Sequence, residues 1–493
     1  MQPKVQPPDT PEHDARPGDR AARRAARNVL AVVAGELVGK VATLVFTVVV
    51  ARELGSSSFG SFSYALAFGM LLATLVGWGF DAELARRGSV DLADLDAALA
   101  QALTLRTLHA LPVVVLGTLI GALTRPSREA AVTLALLLLA SVLDSYGDAG
   151  RSAATALEQS GRAVLALVAQ RVAACLLAVG LLAGGGGLIE VSAGYLLSSL
   201  LGQIVLATML HRFGVRPQWS SVRGAALRDM WRRTVLLGLD SVLATALFRI
   251  DALMLGALAS DREVAAYAVA YRLMETVLFV NWAVARSLFP AMVRAAAGPA
   301  LLRVGASTIS ITGALLVPYG VLVYLDGAAL LRLLFGDGYG GRSVLSLQLL
   351  AAAPLAFAIS YFAGYLLVVQ ERRARVLLAT IFGIVLNVAL NVVLIPRYGA
   401  PGAAAATTVS YALQAALTVV LVAPGNGVLR ADRACALPVA AAVPMAATLL
   451  VLHTGVIVEA ALATAVYALA YLLLARWRDP EQLDLLRSVL RRG

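Results

Sequence analysis

Four charged residues interrupt two long apolar segments near the middle of the chain. Arg249 and Asp251 lie in the first segment, Arg272 and Glu275 lie in the second, and a short polar turn joins the two. If both segments are helices, a rise of ~1.5 Å per residue places Asp251 and Arg272 at a similar depth. Guanidinium groups bind phosphate, and beside a carboxylate they also form structural ion pairs. The cluster therefore predicts an anion-binding cavity wall or an ion-pair network that locks the two helices together.

A second pair of opposite charges, Glu36 and Lys40, lies one helical turn apart in the first apolar segment of the chain. An ion pair between positions i and i+4 of one helix is the simplest interpretation. Such a pair facing lipid would be poorly solvated, so a position on the wall of a wet cavity is favoured. Glu36 and Lys40 therefore join the four central residues as predicted substrate-binding residues.

Other polar residues within the apolar segments have structural interpretations beside functional ones. Arg171 is expected to bridge helices, Arg286 to extend towards the membrane interface, and Arg106 either to line the cavity or to serve packing. Each unrelieved charge would cost roughly 2.5–3.5 kcal/mol at a helix centre, so all of them need water or a partner. Asn387 and Asn391 are expected to hydrogen-bond to neighbouring helices rather than to bind cargo.

The composition identifies the medium in which these residues must be positioned. The chain has 493 residues, of which 59% are hydrophobic and only 14% charged, and the mean hydropathy is +0.80. Because about a quarter of the residues in a soluble domain are charged, the chain is predicted to be an all-α polytopic membrane protein. The net charge of +11 is spread over short loops, which argues against a nucleic-acid partner and for membrane orientation.

Windows of about 20 apolar residues recur along the chain and predict fourteen transmembrane helices. Outside them lie a basic tail, a connection at 325–342 in which Leu330–Phe335 could form a short interfacial helix, and a C-terminal amphipathic segment. The predicted spans are 28–50, 61–83, 98–123, 129–149, 163–184, 188–210, 233–259, 264–289, 300–324, 343–369, 374–395, 402–423, 433–453 and 456–475.

The distribution of arginine between alternate loops supports this count, because a miscounted helix would reverse the pattern downstream. Two lists give the loop arginines, first those on the side of the N-terminus and then those on the opposite side. The first comprises Arg86, Arg87, Arg151, Arg162, Arg212, Arg216, Arg223, Arg228, Arg232, Arg233, Arg294, Arg303, Arg372, Arg373, Arg375, Arg430 and Arg433. The second comprises only Arg52, Arg125, Arg128, Arg262, Arg332, Arg342 and Arg397. The bias predicts a cell (cytoplasmic) membrane protein with both termini in the cytoplasm.

Internal repeats predict two lobes that run in the same direction. The first helical pair resembles the seventh and eighth at an offset of about 205 residues, and Ala156–Gln159 is echoed by Val368–Glu371. The expected organisation begins with a disordered or surface-lying tail at 1–27, an N-lobe of helices 1–6 at 28–213 and a cytoplasmic linker at 214–232. A C-lobe of helices 7–12 at 233–423, two extra helices at 424–475 and an amphipathic tail at 476–493 follow.

Three motifs resemble those of a known family. They are Ala51–Gly55 with Phe59–Phe62, Arg249–Gly256 with Ala266–Leu273, and Asn387–Thr407, which is the most specific. Together they resemble the polysaccharide-transporter branch of the MOP (multidrug/oligosaccharidyl-lipid/polysaccharide) exporter superfamily, the oligosaccharide-lipid flippases. The resemblance implies two pseudo-symmetric six-helix lobes around a central cavity, alternating access, and a polyprenyl-diphosphate-linked oligosaccharide as cargo for surface polysaccharide synthesis. It implies a polysaccharide polymerase and glycosyltransferases as further partners.

Several alternatives remain open at this point. A multidrug or cation antiporter of the same superfamily would favour a more acidic cavity, and a lipid II flippase would carry a chemically similar cargo. A polytopic polymerase or glycosyltransferase is less favoured, because such enzymes need a large extramembrane loop that is absent from this sequence. The sequence contains no P-loop, no HExxH motif and no Cys/His cluster, so neither an enzyme, a cofactor nor a bound metal is expected.

Overall fold

The computed structural model describes residues 17–124, 127–295, 298–422, 429–452 and 454–478, and within these ranges it consists of helices and their connections, with no strand. The sixteen α-helices of the described ranges have the following bounds. They are α1 Pro17–Gly77, α2 Phe80–Val90, α3 Leu95–Thr124, α4 Arg128–Ala156, α5 Ser160–Ala183, α6 Leu188–Arg212, α7 Gly224–Leu258, α8 Asp261–Ala295, α9 Gly298–Leu325, α10 Gly327–Phe335, α11 Arg342–Leu350, α12 Ala353–Val369, α13 Arg373–Tyr398, α14 Ala400–Val422, α15 Ala431–Val451 and α16 Val456–Arg478.

The all-α membrane fold is confirmed. Within the described ranges, thirteen helical segments are long and apolar enough to cross a membrane. One of them, 47 residues over Ala31–Gly77, would measure about 70 Å if it were straight, more than twice the ~30 Å of the hydrocarbon core.

This long first segment reverses at Gly55, whose φ of 74° and ψ of 169° interrupt the helix. The rings of Phe46 and Phe62 lie 5.8 Å apart, whereas sixteen residues of straight helix would separate them by about 24 Å. α1 is therefore a hairpin of two arms, which accounts for the fourteenth predicted span.

Helix boundaries differ from the predictions at two places. α1 begins at Pro17, inside the tail predicted over 1–27, and α7 begins at Gly224, so the second half of the predicted linker is helical. α10 confirms the short helix predicted around Leu330–Phe335. Most of the predicted C-terminal amphipathic segment lies outside the described residues.

Each half of the chain has its own cluster of buried apolar residues. Phe80, Leu84 and Met230 belong to a cluster formed by α2 to α7, while Ile309 and Phe362 belong to one formed by α8, α9 and α12 to α15. α15 and α16 pack together against α9. The division into two six-helix lobes with two added helices remains a prediction.

The two halves meet in a third cluster, which joins the α1 hairpin to α8, α10, α11 and α14. Aromatic side chains from both halves, Phe59 and Tyr339 for example, pack edge to face within it at 6.2 Å between ring centroids. This contact closes one end of the interface between the halves and leaves a polar space deeper in the molecule.

Candidate binding cavity

A cavity of about 330 Å³ lies between the two halves. Both arms of α1 together with α4, α5 and α6 form one side, and α7 and α8 form the other. Its polar and charged lining residues are Lys40, Thr43, Thr47, Ser63, Asp144, Asp148, Arg151, Gln170, Arg171, Tyr195, Ser198, Arg249, Tyr267, Tyr271, Arg272 and Glu275. Four of the six predicted residues, Lys40, Arg249, Arg272 and Glu275, therefore lie on its wall.

Glu275 lies between two guanidinium groups on the α7–α8 side of the cavity. Arg249 Nη2 donates to Glu275 Oε1 at 2.8 Å, and Arg272 Nη1 donates to Glu275 Oε2 at 2.9 Å. Each oxygen of one carboxylate is thus occupied by a different cation, and the three side chains together carry a net charge of +1. Their side chains are only 14–23% exposed, so these charge-assisted bonds act where water screens them weakly.

Lys40 and Glu36 do not form the intrahelical pair that is the simplest prediction. Arg171 of α5 reaches Glu36 across the helix interface at 3.7 Å, which confirms the bridging role expected of this arginine. Lys40 Nζ instead lies 5.9 Å from the ring centroid of Trp282 on α8, a cation–π distance. Glu36 lies beyond the cavity lining, so here it acts through Arg171 rather than on the cavity itself.

Asp251, which is also a predicted substrate-binding residue, does not line this cavity in the present conformation. Its side chain is 1% exposed and accepts hydrogen bonds from Tyr267 Oη at 2.8 Å, Thr407 Oγ1 at 2.7 Å and Asn391 Nδ2 at 2.5 Å. α13 and α14 pack against this face of α7 and supply two of the donors. Arg272, the expected partner at the same depth, bonds to Glu275 instead.

The two asparagines of α13 have the structural role expected of them. Asn391 bonds to Asp251 and to Asn387 Oδ1 at 3.0 Å, and Asn387 Nδ2 donates to Ser410 Oγ at 3.4 Å. These bonds tie α13 to α7 and α14. The third sequence motif therefore supports helix packing around Asp251 in this conformation.

A second compartment of about 320 Å³ continues from the cavity towards the end where α7 begins. It shares Leu66, Met70, Asp144, Asp148 and Tyr195 with the first and adds Trp78, Asp81, Ser241 and Thr245. Arg106 is buried behind it and bonds to Asp81 and to the Ser145 carbonyl, which is the structural alternative considered for this residue. This compartment is acidic, in contrast to the cationic cavity.

The opposite end of the interface is closed by direct contacts between the two halves. Ser61 donates to the Asp261 carboxylate, Tyr339 Oη donates to the Ala51 carbonyl at 2.9 Å, and Arg52 Nε donates to the Leu334 carbonyl at 2.8 Å. A Cβ added at Gly60 would overlap the backbone carbonyl of Asp261. The two turns at this end thus touch at the level of the backbone.

Sequence reasoning missed several lining residues, among them Tyr195, Gln170 and Arg151. Gln170 Nε2 donates to Asp144 Oδ1 at 2.7 Å, and Arg151 Nη2 donates to Asp148 Oδ1 at 2.5 Å. For Arg151 the available signal was a polar residue at every third or fourth position on α4, since these positions share one helical face. The side chain of Arg286 lies outside the described residues.

These features define a polytopic α-helical membrane protein with a charged cavity between its two halves. The model of the family described as "Polysaccharide biosynthesis protein" matches residues 25–296, more than half of the chain. The chain therefore belongs to this family.

A curated relative and two solved structures extend the comparison. The probable low-salt glycan biosynthesis flippase Agl15 of Haloferax volcanii is 26% identical over 244 residues, which cover 47% of this chain and 51% of that protein. The chain thus spans about half the length of this relative. The lipid II flippase MurJ in an inward closed conformation superposes with a TM-score of 0.73 at 13% identity, over 93% of this chain and all of MurJ.

An inward-facing multidrug resistance MATE family transporter of the MOP superfamily superposes with a TM-score of 0.64 at 17% identity, over 78% of this chain and 93% of that one. At such identities the likeness shows the fold. The chain thus shares the all-helical fold of these two transporters.

Proposed function

We propose that this protein is a flippase that moves a polyprenyl-diphosphate-linked oligosaccharide across the cytoplasmic membrane by alternating access. The single observation that carries the proposal is the cationic centre of the cavity. Five cationic residues line the cavity against three carboxylates: Lys40, Arg151, Arg171, Arg249 and Arg272 against Asp144, Asp148 and Glu275. A net positive, poorly hydrated wall suits a diphosphate, while the polyprenyl tail can remain in lipid beside the interface.

The arginine bias of the loops supports a cytoplasmic position for both termini. With that orientation the second compartment leads towards the cytoplasm, and the turns around Gly55 and Ser260 close the outer end. The conformation then corresponds to the state that receives cargo from the inner leaflet. This fits biosynthesis in which lipid-linked sugars are assembled on the cytoplasmic side.

Glu275 and Trp282 position the cations in this proposal. Glu275 fixes the directions of the Arg249 and Arg272 guanidiniums through two bonds, and each guanidinium retains further N–H groups for a phosphate oxygen. Lys40 approaches from the opposite half, so one diphosphate could contact both halves at once. Such contacts couple binding to movement of the halves, because the site is complete only while they are close.

The experiment that tests the proposal is transport in proteoliposomes of a polyprenyl diphosphate that carries a fluorescent disaccharide. Arg249→Ala and Arg272→Ala should each reduce flipping by at least about tenfold with normal protein incorporation, a loss of at least ~1.4 kcal/mol of productive interaction. Arg303→Ala, which removes an exposed arginine on α9, is the matched control and should retain activity. Full flipping by both cavity variants would contradict the proposal.

A cation antiporter is the second candidate, favoured by one specific observation. Asp81, Asp144 and Asp148 line the second compartment, and Asp81 pairs with Arg106 and Asp148 with Arg151. A drug-transporting protein should bind lipophilic cations in that compartment. Binding of tetraphenylphosphonium that is lost in Asp144→Asn, together with absent lipid flipping, would establish this alternative.

A further inference from the structure

A row of aromatic side chains runs along one face of α12. Phe357, Tyr361 and Tyr365 follow each other at intervals of four residues, a rise of about 6 Å per step. The first two rings are nearly parallel at 5.6 Å between centroids, and the second and third meet edge to face at 5.0 Å. All three side chains are half-buried, so parts of their surfaces remain accessible. These three residues are called the aromatic row below.

The aromatic row begins next to a residue that lines the central cavity. Phe248, next to Arg249 on α7, lines that cavity, and its ring lies 5.4 Å from the ring of Phe357. From Phe357 the row runs towards the end of α12 at Val369, which is the end of the molecule where α4 also finishes. The row therefore extends from the level of the cationic centre along the second half of the protein.

The ends of α4 and α12 share one backbone conformation, which relates the two helices position by position. Glu158 and Glu371 have φ values of 57° and 60°. Gln159 N–H donates to the Ala154 carbonyl at 2.8 Å, and Arg372 N–H donates to the Leu367 carbonyl at the same distance. This turn is the structural form of the repeat detected between Ala156–Gln159 and Val368–Glu371.

When the two helix ends are aligned, Phe357 is the repeat equivalent of Asp144, and Tyr361 is the repeat equivalent of Asp148. Asp144 and Asp148 line both compartments of the cavity. The equivalent face of α12 on the other half therefore carries aromatic rings where α4 carries carboxylates.

We propose that the aromatic row is a stacking surface for the sugar rings of the cargo, an inference that rests on the proposed flippase function. A pyranose has faces of C–H groups, which pack on the electron-rich faces of aromatic rings, and a rim of hydroxyls. Carboxylates such as Asp144 accept hydrogen bonds from hydroxyls. One half therefore offers stacking and the other offers hydrogen bonding, while the cations between them hold the diphosphate.

Binding to the full-length protein in nanodiscs tests this assignment with two probes. One is a polyprenyl diphosphate without sugar, and the other is the same lipid carrying a disaccharide. Tyr361→Leu should weaken binding of the disaccharide lipid about tenfold and leave binding of the sugar-free lipid unchanged. Tyr361→Phe should bind both probes normally because it keeps the ring. Tyr324→Leu removes an exposed tyrosine at the other end of the molecule and serves as the control. If Tyr361→Leu does not fold, Tyr365→Leu takes its place with the same expectation.

An equal effect of Tyr361→Leu on the two probes, or no effect, would overturn the stacking surface and leave the flippase proposal intact. The same conclusion would follow if Tyr361→Phe were as defective as Tyr361→Leu, because the hydroxyl rather than the ring would then matter. Failure of the wild-type protein to bind either probe would overturn the flippase function, and the stacking surface with it.

Discussion

Ionic side chains in this protein have two different environments although all lie within apolar helices. Arg249, Arg272 and Glu275 share bonds on the wall of a cavity, whereas Asp251 is enclosed by neutral donors from α8, α13 and α14. The first arrangement leaves donors available to an anion. The second satisfies the carboxylate within the protein and leaves little room for a ligand in this conformation.

Glu275→Gln should destabilise the protein more than Arg249→Ala does. The amide leaves two guanidiniums facing each other without an anion, whereas Arg249→Ala leaves Glu275 paired with Arg272. Because the side chains are partly exposed, the difference should be on the order of 1–3 kcal/mol. Thermal unfolding of the single and double variants in detergent gives the coupling energy. Additive losses in the cycle would show that the pair contributes no coupling.

Asp251→Ala should lower the unfolding midpoint markedly, because Tyr267, Thr407 and Asn391 lose a shared acceptor. The expected loss is on the order of 3–5 kcal/mol, and Asp251→Asn should lose less since it keeps one acceptor oxygen. Unfolding monitored by size-exclusion chromatography after heating measures both variants. An Asp251→Ala protein as stable as the wild type but inactive in transport would restore Asp251 to the functional site.

At the scale of elements, the two hairpins meet where glycine permits the closest approach. Gly60 lies against the Asp261 carbonyl, and Gly256 lies against the ring of Tyr64, so neither position has space for a Cβ. α1 and the α7–α8 hairpin can therefore press their turns together and close one end of the cavity. Separation of these turns is the movement that would open that end.

Gly60→Val should shift the protein towards a state that is open at the end where the turns of α1 and of the α7–α8 hairpin touch. Overpacking of about 1–3 kcal/mol, present only when the turns touch, changes the ratio of closed to open molecules by about 5- to 150-fold. A cysteine at the cavity residue Ser63, in a background without Cys175 and Cys435, should react faster with an impermeant thiol reagent from outside. Gly338→Val, at a glycine with open space around it, is the control and should leave the rate unchanged. An unchanged rate in Gly60→Val would show that this contact does not hold the end closed.

Sequence patterns predicted where the helices lie better than they predicted which face of each helix meets the cavity and which meets its neighbours. Hydropathy and the arginine bias locate spans, since each depends only on a run of residues and its flanks. Whether Asp251 faces the cavity depends on which side of α7 meets α13 and α14, and a helix such as α7 has no strong apolar face to indicate it. The Phe357, Tyr361 and Tyr365 row likewise reads as ordinary core until α12 is placed beside the cavity.

At the scale of the whole molecule, the sign of the charge on the lining residues changes along the length of the cavity. The centre, with Lys40, Arg171, Arg249 and Arg272, is cationic, and the compartment beyond it, with Asp81, Asp144 and Asp148, is acidic. A diphosphate entering from the acidic side would be drawn to the centre, where the cations from both halves lie. In the proposed mechanism, release requires the halves to separate at the other end, which removes Lys40 from the cations of the second half.

A disulfide across the closed end tests whether transport needs this separation. Ser61 and Asp261 are hydrogen-bonded there, so Ser61→Cys with Asp261→Cys, in a background without Cys175 and Cys435, should cross-link on mild oxidation. The oxidised protein should still bind polyprenyl diphosphate through the other end, yet it should lose flipping of a disaccharide-bearing lipid in proteoliposomes, and reductant should restore it. Each single-cysteine variant controls for oxidation elsewhere and should remain active throughout. Continued flipping by fully cross-linked protein would mean that the cargo crosses without opening this end, and alternating access between the two hairpins would have to be abandoned.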